Sequence, residues 1–403
     1  MKNIYFIENI IKTQNDNFCL VALFNASLFL ENKQLENNSY FAVQQISNSL
    51  VRDVNEGSFY FFETSENSFR KANFTSTAKS FIFQNALVRK RLINNITKQL
   101  SKSSSVDEEF VSYHVNVGHG NCSFLVEKNT KSIWLVDCSN YDFLNKTYYQ
   151  TNIDMCINRI KERFSLIDIH LKKVFITHPH FDHYSGIETL INNKYIDSST
   201  NFYLNPYYHF SNPKWNNLLN RIDKLGSMII EPISPNSSST IEILYPKNRV
   251  IANNRSSYMI PGSIIQPKIN NTSIVFAVKS VNNTFLFTGD IETDAWDIVD
   301  SCYPYLHNCN YYTISHHGSD NGHIRTKCLS KGISISTVSD CFNRNHRGKS
   351  VQPILMGRDK AYSGIYSSNV INDFNKFKKP IVYTETAPHF VEIEWNSNNV
   401  CRI

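Results

Sequence analysis

Residues 177–186 read Thr-His-Pro-His-Phe-Asp-His-Tyr-Ser-Gly, which sets His178, His180, Asp182 and His183 within six consecutive positions. Just before this stretch, residues 173–177 (Lys-Val-Phe-Ile-Thr) have the apolar character of a strand. Just after it, residues 187–191 (Ile-Glu-Thr-Leu-Ile) read as the start of a helix. A polar cluster pinned between a buried strand and a helix occupies a fixed place. Two histidines at i and i+2 after a strand can face the same way and hold one ion. Asp182 and His183 turn with the chain and can hold a second ion beside it. Imidazole together with carboxylate suits zinc and its borderline neighbours. The bland alternative is a His-rich surface loop, and four ligand-type residues at a strand end argue against it.

The chain has 403 residues, 41% hydrophobic and 19% charged, so a packed core is feasible and bulk disorder is not expected. Nine cysteines, an odd number with no Cys-x-x-Cys spacing, suit reduced thiols rather than a disulfide framework, and they indicate no structural zinc. The opening residues lack the order of a signal peptide. The apolar run over residues 18–30 is interrupted by Asn25 and Ser27, and it is shorter than the roughly 20 residues of a membrane span. A buried hairpin is expected there, in a cytoplasmic protein with no membrane partner. The net charge of +6 permits an anionic substrate without demanding nucleic acid.

Residues 101–109 (Ser-Lys-Ser-Ser-Ser-Val-Asp-Glu-Glu) form the clearest linker. They divide a small mixed α+β region of unknown function, residues 1–100, from residues 110–403. A strand is expected over residues 58–63. A helix near residue 92 carries Leu87, Val88, Leu92, Ile96 and Leu100 on one face, with Arg89, Lys90 and Arg91 mostly on the other. That basic run reads first as a solvated face. From residue 110 onward strands and helices alternate: strands over 111–117, 132–137, 273–278 and 284–288, and a helix over 153–164.

The pattern His-x-His-x-Asp-His resembles the signature of the metallo-β-lactamase superfamily at every defining residue. The resemblance implies an α/β fold, an αββα sandwich of two mixed sheets with outer helices, and a site for two divalent ions, with zinc the leading identity and manganese the alternative. It further asks for a bridging aspartate and a late histidine. Asp290, in Thr-Gly-Asp after an apolar strand, supplies the first. His316-His317-Gly318 supplies the second, with His317 favoured over His316. Asp137, ending a strand, matches the early aspartate whose role is structural. His209 is the candidate third histidine of the first ion by its order along the chain.

Within the superfamily, residues 110–397 resemble the soluble hydrolase domain of the ComEC competence proteins. The shared order is Val-Asn-Val-Gly-His-Gly-Asn at 115–121, then 271–275, 285–290, 316–319, a strand at 333–340 with Asn343 and His346, and closing strands at 383–386 and 391–395. Gly-Gln-Gly-Asp of that branch is here Gly118-His119-Gly120-Asn121, and His-Pro is His346-Arg347. By this resemblance the chain is a binuclear phosphodiesterase or nuclease acting on DNA through a metal-held hydroxide. Asp182 and Asp290 are candidate proton acceptors and His346 a further catalytic candidate. Arg344, Arg347, Lys349 and Arg358 are candidate phosphate contacts. Two other readings stand beside it. One is a hydrolase of a small thioester, lactone, β-lactam or cyclic nucleotide. The other is a regulatory or assembly subunit whose residues 1–100 dock a protein partner.

Overall fold

The computed structural model describes residues 4–12, 18–26, 41–47, 51, 54, 59–63, 68–71, 92, 108–207, 212–247, 269–292, 295, 296, 299, 309–323, 351–361, 364–396 and 399–403. The first strands are β1 (Ile4–Lys12), β2 (Phe18–Asn25), β3 (Phe41–Ser47), β4 (Phe59–Glu63) and β5 (Ser68–Lys71). They form one antiparallel sheet in the order β3-β2-β1-β4-β5. Where a buried hairpin is expected over residues 18–30, residues 18–25 form the single strand β2, paired with β1 and β3, and residues 27–30 lie outside the described residues. Leu92 is helical and buried. The rest of the expected helix around it, its basic face, and residues 101–107 of the linker lie outside the described residues.

The remaining chain builds two mixed sheets. The first part runs β6 (Phe110–Val115), β7 (Cys122–Glu127), β8 (Ile133–Cys138), the short pair β9 (Tyr141–Asp142) and β10 (Thr147–Tyr148), and helix α1 (Gln150–Phe164). Then come β11 (Leu171–Ile176), α2 (Phe181–Tyr184), α3 (Ile187–Asn192), β12 (Asn201–Leu204), α4 (Pro213–Leu225) and β13 (Met228–Ile230). The second part runs β14 (Ile241–Tyr245), β15 (Val275–Lys279), β16 (Thr284–Phe287), β17 (Tyr311–Thr313), β18 (Gln352–Leu355), α5 (Ser368–Phe374) and β19 (Val382–Tyr383). It closes with β20 (Phe390–Glu394) and β21 (Asn399–Arg402). One sheet orders as β13-β12-β11-β8-β7-β6-β20-β21, the other as β14-β15-β16-β17-β18-β19.

Side-chain alternation shows how these sheets stack. In β8, Ile133 and Leu135 face a core shared with α1, α3 and α4, while Trp134 and Val136 face the other sheet. In β15, Phe276 and Val278 face inward, and Val275 and Ala277 pack against α5 and the helical residues Ala295, Trp296 and Val299. A strand buried on both faces must be continuously apolar, which is why these segments read as unbroken apolar runs. The result is the expected αββα sandwich. Its inner layer is aromatic: Phe175 stacks on Tyr203 and on Phe276, each with 4.2 Å between ring centroids. Burying each such side chain contributes about 1.5–3 kcal/mol.

The helices follow from spacing and caps. Ile153, Cys156, Ile157 and Ile160 put a buried stripe on α1. Helix α4 begins at Pro213, where the lost N–H costs nothing, and Asn212 caps it by accepting from the amides of Lys214 and Trp215. Among the described cysteines, Cys19, Cys122, Cys138, Cys156 and Cys309 are buried free thiols, and Cys401 is exposed. No helix among the described residues is long and apolar enough to cross a membrane.

Candidate metal centre

The site forms where strand ends of the two sheets meet. Strand β8 delivers Asp137, and β11 delivers Thr177 and His178. Helix α2 carries Asp182 and His183, β16 leads to Asp290, and β17 leads to His316 and His317. The chain turns sharply at each exit. Asp137, His316 and His317 hold φ of 53°, 50° and 48°, a left-handed conformation that costs a side-chain-bearing residue about 1–3 kcal/mol. Strain of that kind persists where surrounding structure fixes a side chain for a purpose.

Among the described residues, two groups of side chains can each hold a metal ion. His178, His183 and Asp290 form one; His119, Asp182 and His317 form the other. The donor atoms within each lie inside 4.8 Å of one another, and every member is buried. The two groups adjoin. His183 Nε2 is 3.3 Å from Asp290 Oδ2 and 4.0 Å from Asp182 Oδ2, and His317 Nε2 is 3.2 Å from Asp182 Oδ2 and 3.5 Å from Asp290 Oδ2.

The outer hydrogen bonds aim these rings. Asp137 accepts from the Thr177 amide at 2.7 Å, from Thr177 Oγ1 at 2.8 Å and from His183 Nδ1 at 2.8 Å. A carboxylate only accepts, so His183 carries its proton on Nδ1 and offers the Nε2 lone pair inward. His317 Nδ1 donates to the Met356 carbonyl at 3.2 Å, which likewise turns Nε2 inward. This is the arrangement of a histidine oriented for metal. One buried atom tests the fit. Asp290 Oδ1 makes no hydrogen bond among the described residues, and a buried carboxylate oxygen in that state fits a partner such as a cation.

Burial alone would raise the Asp182 and Asp290 carboxyls. The positive charge of protonated His183 and His317, whose own values these acids raise, outweighs it and holds both acids well below the usual carboxylate range; a bound cation would take the place of that charge. Burial drives His119 down to about 3 and His180 down to about 4, leaving both neutral with a lone pair to give.

Not every residue marked in the sequence falls in these groups. His180 is buried with Nδ1 3.1 Å from His178 Nε2, and belongs to neither. His316 belongs to neither group: its ring nitrogens lie 3.3 Å from Asn270 Nδ2 and 3.7 Å from Glu292 Oε1. His209, Arg344, His346, Arg347 and Lys349 lie outside the described residues. Arg358 donates from Nε to Asp142 Oδ2 at 3.1 Å, and the same oxygen accepts from the His119 amide at 3.0 Å.

His119 is the residue that sequence reasoning misses. There it enters only as a departure in Gly118-His119-Gly120-Asn121. The structure brings it beside Asp182, with Nε2 3.3 Å from Oδ2. Its loop is pressed onto the metal loop: the Asn121 amide donates to the Asp182 carbonyl at 3.0 Å. A Cβ on Gly120 would lie 2.8 Å from that carbonyl, so a glycine is required. The available signal is an imidazole between two glycines at a strand exit.

No protein-family model and no curated protein matches the chain. Among solved structures, it is similar to a metallo-β-lactamase from Hirschia baltica, at 17% identity over 49% of this chain and 87% of that one, with a TM-score of 0.27. It is also similar to a single-residue mutant of the CmlA β-hydroxylase, at 10% identity over 93% of this chain and 69% of that one, with a TM-score of 0.35.

Proposed function

We propose that the chain is a metal-dependent hydrolase of an anionic substrate, with a phosphodiester, DNA foremost, as the bond it cuts. The observation that carries the reading is the adjoining pair of buried groups, His178, His183 and Asp290 beside His119, Asp182 and His317. Two divalent ions held there would supply Lewis acidity and lower the pKa of bound water toward about 7. The protein's own part is orientation. Asp137 and the Met356 carbonyl fix the rings of His183 and His317, and Asp182 and Asp290, held ionised, can accept hydrogen bonds from the attacking water and orient it.

For the anionic substrate, the support is chemical. Arg358 is tied by Nε through Asp142 to the His119 loop, which steadies its planar guanidinium, and its other nitrogens, which make no hydrogen bond among the described residues, suit a phosphate. The resemblance to the competence hydrolases supports DNA. A second reading, a small-molecule hydrolase, is favoured by one observation. The N-terminal sheet packs on the metal loop, with Phe6, Phe24 and Phe59 sharing a buried cluster with Phe181 and Tyr184. Such a wall suits a closed pocket more than an open groove.

Both readings are tested by one panel of phosphodiester, thioester, lactone, single-stranded and double-stranded DNA substrates. Wild type is assayed with Mn²⁺ or Zn²⁺ beside Asp182→Ala. Cleavage of DNA or of the phosphodiester that disappears in Asp182→Ala is the expected result. Intact DNA alongside hydrolysis of another substrate would refute the nuclease reading, and activity surviving the substitution would not come from this centre.

A further inference from the structure

We propose that Glu8, on β1 of the N-terminal sheet, is a positioning residue for the metal loop, so that this sheet is a working part of the metal centre. The inference rests on reading residues 178–183 as a metal loop. Glu8 is 2% exposed, and a carboxylate so buried must be satisfied. Its Oε1 accepts from the backbone amide of Phe181 at 2.9 Å, and its Oε2 accepts from Asn212 Nδ2. Phe181 lies between His180 and Asp182, so Glu8 grips the backbone of the loop itself. From the other side the Asn121 amide holds the Asp182 carbonyl at 3.0 Å. The segment that aims Asp182 at His119 and His317 is therefore fixed from two directions.

The chemistry at position 8 is specific. Asn212 cannot turn its side chain over, because its Oδ1 accepts from the Lys214 amide at 2.7 Å and the Trp215 amide at 3.3 Å to cap α4. It presents a donor to Glu8, and Phe181 presents another. Two donors require two acceptors, which a carboxylate supplies and a carboxamide does not. Apolar contact brings the partners together: Phe6, Phe24 and Phe59 of the sheet are buried in one cluster with Phe181, Tyr184 and Trp215. The sequence separation is 173 residues between Glu8 and Phe181, so no local pattern announces the contact.

The test uses the full chain loaded with Co²⁺. Affinity is measured by chelator competition and geometry by the visible absorption spectrum, for wild type, Glu8→Gln, Asn212→Asp and the two substitutions together. Glu8→Gln is expected to weaken Co²⁺ binding by about 10-fold or more, the range for groups that orient metal ligands, and to alter the spectrum while far-ultraviolet circular dichroism is unchanged. Asn212→Asp alone sets two carboxylates against each other and weakens binding at least as much. In the double variant the glutamine amide donates to the new aspartate, which still caps α4, and most of the affinity returns. Wild-type affinity and spectrum in both single variants would overturn the proposal, as would a double variant no better than the worse single one. A wild-type chain that takes up no Co²⁺ would overturn both this proposal and the metal reading beneath it, so the two failures are distinguishable.

Discussion

Asp137 shows how much of this centre is decided by a single side chain outside the two His/Asp groups. Its carboxylate takes three donors, two from Thr177 and one from His183, and so sets the tautomer of His183. Asp137→Asn replaces one acceptor oxygen by a donor and leaves that ring without its anchor. Metal affinity is expected to fall about 10- to 100-fold, measured by chelator competition, as found for such supporting groups elsewhere. The role of Asp137 was legible because it ends an apolar strand and fits a pattern. That of His119 was not, because a histidine between glycines in a loop carries no periodicity. Its place beside Asp182 comes from contacts distant in sequence, the Asn121–Asp182 bond and the Asp142 carboxylate that holds its amide.

At the scale of elements, the centre depends on strands that stop and turn. Gly289 has φ of 53°, and a Cβ there would sit 3.0 Å from the Cβ atoms of Ser273 and Thr177. Gly289→Ala is therefore expected to cost about 1–3 kcal/mol in chemical denaturation, from backbone strain alone. Between the sheets lies a polar contact that titrates. His114 on β6 is fully buried, bonded to Ser123 Oγ at 2.9 Å and Ser112 Oγ at 3.1 Å, and burial pulls its pKa down to about 3. Its folded value lies below the unfolded one, so unfolded chains bind a proton that folded chains refuse. Stability is then lost as pH falls from about 6.5 toward 3, at up to about 1.4 kcal/mol per pH unit. Urea unfolding of wild type and His114→Gln at pH 7 and pH 5 is expected to show a smaller loss in the variant; equal losses would contradict this. Strand positions were readable where runs buried on both faces are mostly apolar, as in β8 and β15. The site of His114 in the inter-sheet layer was not, since alternation within one strand does not say which sheet it meets.

For the whole molecule, four layers bring residues from positions 119 to 317 to one edge of the sandwich, and a fifth component, the N-terminal sheet, leans on the same loop. The layering was anticipated from the order of motifs along the chain. The packing of the N-terminal strands on that loop was not, because it is carried by aromatic burial and one glutamate rather than by any motif. The central claim is that the two His/Asp groups each hold an ion, and metal counting on freshly purified full-length protein by inductively coupled plasma mass spectrometry tests it most directly. Two ions per chain are expected in wild type and one in each of His119→Ala and His178→Ala, which remove a member of one group apiece. Fewer than one ion per chain in wild type, or two retained in His119→Ala, would contradict it.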